Sequence, residues 1–289
     1  MFLSPSAQAE LLAREGLPAD FNDQLEALWG PLAERALVER RRAGRTIVLG
    51  LCGPQGSGKS TGAQALQALL REAGASAAIL SLDDLYLGKP ERARLASKTH
   101  PLFATRGPPG THDVGLGCTV LDSLGQPGPV RLPRFDKAVD DRAAPLDWPV
   151  VEAPIDLVIF EGWCVGARPQ PAAALTAPVN ALEAEDDPDG RWRKAVNDAL
   201  ASPYQDLFGR IDLLALLRPP SFETVRGWRL EQEHKLRART GGGMTDAGID
   251  RFIQHYERLS RWIDVDMPAR ADVVAQLDAA RRPRLVRFG

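Results

Sequence analysis

Residues 53–60 read Gly53-Pro54-Gln55-Gly56-Ser57-Gly58-Lys59-Ser60, and this stretch decides the fold. It is a complete G-x-x-x-x-G-K-S/T phosphate loop. The run before it, Thr46-Ile47-Val48-Leu49-Gly50-Leu51-Cys52, is short, apolar and β-branched, as a buried parallel strand should be. The run after it, 61–73, is rich in Ala, Leu and Gln and reads as a helix. Glycines let consecutive backbone N–H groups turn toward one phosphate chain, and the helix N-terminus adds partial positive charge. Gly53, Pro54, Gln55, Gly56, Ser57, Gly58, Lys59, Ser60 and Thr61 are therefore the expected nucleotide contacts. Lys59 reaches the β- and γ-phosphates, and Ser60 ligates Mg²⁺. A chance glycine-rich turn is the competing explanation, and the strand–loop–helix order weighs against it.

Moving outward, residues 77–82 read as a second strand ending in Asp83-Asp84-Leu85-Tyr86. In open α/β sheets functional groups lie beyond the carboxyl ends of strands. Two carboxylates there can serve as base and metal-shell ligand, or form a polar turn that caps the next helix. Residues 88–150 are rich in Pro, Gly and Arg; 106–113 cannot be regular helix or strand. Within this insertion 129–133 and 148–151 form an expected β-hairpin. The insertion either holds a small polar substrate or is a solvated loop with weak ion pairs. Residues 155–163 are the next strong signal: a buried strand ending in Glu161, which should face the metal at the phosphate loop.

The flanks read more simply. Residues 1–44 are an N-terminal helical extension, broken at Gly16-Leu17-Pro18. Residues 167–190 look like an acidic surface excursion, with Glu183, Glu185, Asp186, Asp187 and Asp189. Residues 192–207 form a helix and 211–217 a fourth strand. A basic helix from Ser221 carries Arg226, Arg229, His234, Lys235, Arg237 and Arg239 into Gly241-Gly242-Gly243. It is either a closing lid over transferring phosphate or a surface helix with a glycine C-cap. Residues 249–263 are helical, 271–280 partly helical, and 284–288 the edge strand. The sum is a single domain with a P-loop NTPase three-layer α/β/α fold and a doubly wound, mainly parallel five-stranded sheet.

Bulk properties agree. The chain has 289 residues, 44% of them hydrophobic, enough for one large core. With 36 basic and 38 acidic residues the net charge is −2, which points to neither a nucleic-acid nor a membrane partner. Three scattered cysteines show no metal spacing or disulfide framework, so a reducing cytoplasm is the simplest compartment. No signal peptide or run of about 18 apolar residues is visible. Monomer and homodimer both remain open.

In order along 46–262, these stretches resemble the D-glycerate 3-kinase family of plants and fungi. That family lies within the P-loop kinases that include uridine kinase, phosphoribulokinase and bacterial pantothenate kinase. The phosphate loop and Ser81-Leu82-Asp83-Asp84-Leu85-Tyr86-Leu87 are shared with the wider group. Arg134-Phe135-Asp136-Lys137 with Asp141-Arg142, Phe160-Glu161-Gly162-Trp163 and Trp228-Arg229-Leu230-Glu231-Gln232-Glu233 narrow the match, together with Arg106-Gly107 and Thr111-His112-Asp113. The family usually has Phe at Leu85 and Tyr at Phe135. The resemblance implies ATP-dependent phosphorylation of glycerate to 3-phosphoglycerate. Asp83 is then the base, with Lys59 and lid residue Arg229 stabilising the transferred group, and Arg226 or Lys235 as further lid cations. Ser60, Glu161 and Asp83 would hold Mg²⁺. Asp84, Tyr86, Arg106, His112, Asp113, Arg134, Asp136, Lys137, Arg142 and Trp163 would surround the acceptor. Arg106, Arg134 and Arg142 are the candidates for a fork on its carboxylate. The alternatives are a kinase of another small hydroxylated metabolite or a regulatory P-loop NTPase.

Overall fold

The computed structural model describes residues 1–289 apart from the side chains of Arg239 and Thr240, so the Arg239 of the basic helix lies outside the described residues. The strands in chain order are β1 (Ile47–Cys52), β2 (Ala77–Ser81), β3 (Gly128–Arg131), β4 (Phe135–Asp136), β5 (Asp141–Arg142), β6 (Val150–Ala153), β7 (Leu157–Gly162), β8 (Leu213–Arg218), β9 (Val273–Leu277) and β10 (Pro283–Phe288). Six of them form the central sheet in the order β10-β9-β8-β1-β7-β2. All neighbours run parallel except the edge pair β9 and β10. The insertion adds two ribbons, β3 with β6 and β4 with β5.

Side chains alternate across a strand, so each central strand feeds two cores. Ile47, Leu49 and Leu51 pack with Leu32, Leu66 and Leu69 beneath the N-terminal helices and the phosphate-loop helix Lys59–Glu72. Val48 and Cys52 face the opposite layer with Leu80, Phe160, Leu207 and Leu259, beneath the helices Val114–Ser123, Pro203–Phe208 and Asp246–Asp266. Both faces of β1 and β7 are buried, which is why their sequences are nearly unbroken apolar runs.

Register places the site. Leu51 lies opposite Glu161, and Glu161 lies opposite Ser81. The carboxyl ends of β1, β7 and β2 thus lie level to within one residue, and the phosphate loop, Glu161 and Asp83 leave the sheet side by side.

Three expectations are corrected. The sheet has six strands, because 271–280 contains β9 rather than a partial helix. Val273, Val274, Ala275 and Leu277 are all buried, and β-branched Val273-Val274 suits a strand covered on both faces. The stretch 192–207 is two helices, Arg191–Ala201 and Pro203–Phe208, because Pro203 has no N–H to continue the first. The acidic stretch 183–189 is not all surface. Glu183 and Asp187 are fully buried, each ion-paired to an arginine, Arg258 and Arg193. Removing one partner from such a pair costs ~3–5 kcal/mol, because a buried charge is left uncompensated.

Candidate active site

A cleft of about 600 Å³ opens over the carboxyl ends of β1, β2 and β7. Lys59 and Ser60 form its floor, Asp83 and Tyr86 one side, Arg106 and Lys137 the insertion side. Trp163, Phe252 and Tyr256 make an aromatic back wall, and Arg229 and Lys235 overhang it from the helix Phe222–Thr240.

The floor is built as its motif requires. Gly56 and Gly58 take left-handed φ of 76° and 87°, and Gly62 N–H donates to Gly58 O at 2.8 Å as the helix begins. A Cβ at Gly56 would come within 2.6 Å of Trp228 Cβ, so the loop is pressed against the overhanging helix. Ser60 Oγ donates to Glu161 Oε1 at 3.1 Å. Glu161 is 4% exposed, and its Oε2 has no protein partner. A buried carboxylate oxygen left open beside a hydroxyl is a donor set that suits Mg²⁺, which takes one or two carboxylates and completes its shell with water and phosphate. Among the described residues no group of three or more His, Cys, Asp or Glu forms a richer metal cluster. Cys52, behind the floor, has its thiol pushed up to about 12 by burial, so it is a small hydrophobe rather than a nucleophile.

Asp83 sits in the turn Leu82–Leu85 after β2. Its Oδ1 accepts from Tyr86 Oη at 2.6 Å and its Oδ2 from Lys137 Nζ at 2.7 Å. Burial pushes the carboxyl upward, but the charges of Lys137 and Lys59 and these two hydrogen bonds outweigh it. Asp83 is held well below the usual carboxylate range. Both oxygens that were expected to reach a metal are thus engaged by protein.

Asp84 points the other way. It accepts from Phe135 N–H at 3.0 Å and from Arg134 Nη1 at 3.2 Å, which pins the β4–β5 ribbon to the end of β2. Arg142 donates to Tyr86 O at 2.8 Å and to Asp113 Oδ2 at 3.0 Å, while Asp113 also caps the helix Val114–Ser123. Asp136 accepts from Ala138 N–H within the ribbon's turn. The structure therefore brings Asp83, Tyr86, Arg106, Lys137, Trp163 and Arg229 to the cleft. It does not bring Asp84, His112, Asp113, Arg134, Asp136 or Arg142 to the cleft lining; these hold its frame.

Sequence reading missed the clamp inside that frame. Fully buried Arg92 donates to Leu87 O at 2.7 Å and to Asp140 Oδ2 at 2.6 Å. Asp140 Oδ1 also takes the guanidinium of Arg106. Asp140 adopts φ 59°, an uncommon backbone for a non-glycine, which the two arginines hold in place. Both guanidiniums lie over the Phe135 ring, at 5.8 and 5.6 Å.

His112 is buried under Tyr86, with Nδ1 on the Tyr204 hydroxyl and ring centroids 4.8 Å from Tyr86. Burial pushes it down to about 3, against the opposing pull of Asp83. The folded chain keeps it neutral while the unfolded chain takes the proton near pH ~6.5. Its contribution to stability is complete above that pH and is lost as pH falls toward 3. The melting temperature should fall between pH 7 and 4, and fall less steeply in His112→Asn; melting followed by circular dichroism reads the difference. Half-buried His255, also lowered by desolvation, contributes in the same direction, so the slope is flattened rather than abolished.

The overhanging helix starts with Ser221 Oγ accepting from Thr224 N–H. Arg229 pairs with buried Glu233 at 2.7 Å and lies 5.7 Å from the Phe252 ring centroid. Glu233 in turn accepts from Met244 N–H at 2.6 Å, across the turn that follows the Gly241 cap. Arg226 is turned away, bonded twice to Asp250. Tyr256 donates to Arg106 O at 2.9 Å and stacks edge-on to Trp163, whose indole N–H reaches Gly107 O. No helix among the described residues is long and apolar enough to cross a membrane.

Comparison with known proteins adds to this geometry. A family model described as methylmalonyl Co-A mutase-associated GTPase MeaB matches residues 32–85 alone. An uncharacterized kinase, mug58, of Schizosaccharomyces pombe is 37% identical over 228 residues, which are 74% of this chain and 79% of that protein. The chloroplastic D-glycerate 3-kinase of Arabidopsis thaliana is 31% identical over 220 residues, 73% of this chain and 46% of its own length. A solved D-glycerate 3-kinase from Cryptococcus neoformans superposes with a TM-score of 0.76 at 27% identity, covering 91% of this chain and 99% of that one. The chain belongs to the D-glycerate 3-kinase family of P-loop kinases.

Proposed function

We propose that the protein transfers the γ-phosphoryl group of ATP to the 3-hydroxyl of D-glycerate. One observation carries the reading: the cleft sets ionised Asp83 between the phosphate-loop lysine and two insertion cations, Arg106 and Lys137. Glycerate is a small anion with two hydroxyls. Arg106 and Lys137 meet its carboxylate, and Asp83 orients the attacking hydroxyl and takes its proton as the bond forms. Asp83 is a weak base in the resting site, which fits a loose phosphoryl transition state where proton removal comes late. Lys59 and Arg229 neutralise charge that builds on the transferred group. Ser60 and Glu161 would hold Mg²⁺, which supplies charge neutralisation on the phosphates when bound. Residues 88–150 serve as the acceptor-binding insertion and 221–245 as the lid in this reading.

A regulatory NTPase is favoured only by the MeaB match, which ends at Leu85, before Arg106 and Lys137. Purified protein with Mg-ATP and D-glycerate should yield 3-phosphoglycerate, identified by phosphorus NMR. Turnover of a nucleoside, pantothenate or another sugar acid with none of glycerate overturns the substrate. ATP hydrolysis that no acceptor stimulates overturns transfer itself.

A further inference from the structure

The two partners of Asp83 differ in freedom. Tyr86, on Oδ1 at 2.6 Å, is 4% exposed, and its ring is packed between His112 and Phe135. Lys137, on Oδ2 at 2.7 Å, is more than half exposed. Its backbone is fastened all the same. Asp84 holds Phe135 N–H at one end of the β4–β5 ribbon, while Arg92 on Asp140 and Arg142 on Tyr86 O hold the other. What can move is the flexible stem of Lys137, which ends in a compact charge with three donors. The neighbouring cation has no such choice: Asp140 takes the Arg106 guanidinium, which also lies over Phe135. The insertion side of the cleft thus carries one fixed cation and one that can swing. Since Tyr86 closes Oδ1, Oδ2 is the atom left for an acceptor's proton, and Lys137 holds it.

We propose that Lys137 discriminates among acceptors by making an acceptor carboxylate a condition for phosphoryl transfer, and not only for binding. The inference rests on the glycerate reading above and adds to it a residue that decides which hydroxyl compounds react.

An anionic acceptor draws the ammonium off Oδ2 toward its own carboxylate, where Arg106 already stands. Oδ2 then receives the hydrogen bond of the acceptor's 3-hydroxyl. As the bond from that oxygen to the γ-phosphorus forms, the bond from the γ-phosphorus to the β,γ-bridging oxygen breaks. ADP leaves with that electron pair, and the hydroxyl proton passes to Asp83. The exchange at Lys137 is close to even, because one charge-assisted hydrogen bond to a carboxylate replaces another. Water and neutral polyols bring no charge to draw Lys137 away, and they meet a base that is still occupied. Binding energy from a part of the acceptor that does not react is thereby used to assemble the reacting part. In an open cleft of about 600 Å³, which admits water freely, this also restrains idle hydrolysis of ATP.

The full-length protein is assayed with Mg-ATP and D-glycerate, with Mg-ATP and glycerol, and with Mg-ATP alone, the phosphorylated products being resolved by phosphorus NMR. Glycerol keeps the carbon chain and carries a hydroxymethyl group where glycerate has its carboxylate. Lys137→Met keeps the stem and removes the charge. It should raise glycerol phosphorylation and acceptor-free hydrolysis by about tenfold or more, the worth of one charge-assisted hydrogen bond, while kcat/KM for D-glycerate falls. Lys137→Arg, which keeps a cation on Asp83, should hold both idle rates at the wild-type level. If Lys137 serves only to bind a carboxylate, Lys137→Met weakens glycerate and leaves the glycerol and water rates where they were; that result overturns the inference. So does a parallel loss of all three rates. Wild-type protein that does not phosphorylate D-glycerate overturns the reading beneath, and the inference with it.

Discussion

Asp83→Asn should lower kcat by ~10²–10⁴-fold, the usual worth of a positioned general base. The amide keeps the shape and still accepts from Tyr86, whose hydroxyl is 2.6 Å from Oδ1. What it loses is a negative charge facing Lys137 and Lys59, and the capacity to take a proton. Nucleotide affinity should stay level or rise, since a like charge near the phosphates is removed. Steady-state kinetics and calorimetry with Mg-ADP separate the two effects. The same carboxylate predicts a pH signature. With its pKa held below the usual range, activity should keep its acid side down to about pH 4. Lys137→Ala removes a charge that opposes burial, so the acid limb should move toward neutral pH. Undiminished ATP turnover in Asp83→Asn, with no acceptor dependence, would sink the role of base.

Arg229→Ala should cost ~10³-fold in kcat or more, the range for a cation that meets the transferring phosphoryl group. Its guanidinium is only 17% exposed, is paired to buried Glu233 and is stacked near Phe252 above the cleft. A lysine cannot reproduce the planar fork or the stacking, so Arg229→Lys should recover little. Arg226 is the internal control. It lies three residues earlier on the same helix but is bonded to Asp250 on an exposed flank. Arg226→Ala should change kcat by no more than about twofold, as surface pairs contribute little. Equal losses in the two variants would mean that the helix acts by its stability and not by one cation.

What the chain announces locally was readable, and what it assembles at a distance was not. The phosphate loop and the strands at 47–52 and 157–162 are contiguous runs with one possible local geometry. Glu161 and Asp83 follow from them, since register puts strand ends together. β9 escaped because five residues between Asp272 and Asp278 are too short to display a period, and a strand buried on both faces has no alternation to display. The charges of 134–142 could be counted but not sorted. Only the fold separates Lys137, which faces Asp83, from Arg134 and Arg142, which fasten the ribbon. Arg92 and Asp140 lie in the insertion 88–150, which the sequence leaves open between a substrate pocket and a solvated loop. Nothing near them in sequence marks a fully buried guanidinium. The helix over the cleft was legible as basic, yet which cation faces the cleft depends on the Glu233 and Phe252 contacts.

The clamp of Arg92 on Asp140 uses only groups of the protein, and so it stands before any ligand arrives. That side of the cleft is pinned by Arg92 on Asp140, while the other side is carried by the helix Phe222–Thr240, held by Trp228 on Ala279 O, Arg226 on Asp250 and Glu233 on Met244 N–H. Arg92 touches no ligand, yet both Arg106 and the ribbon that carries Lys137 take their bearing from the Asp140 it holds. If Arg106 and Lys137 meet the acceptor as proposed, its recognition is set from behind: one unseen side chain is the datum from which two visible cations are measured.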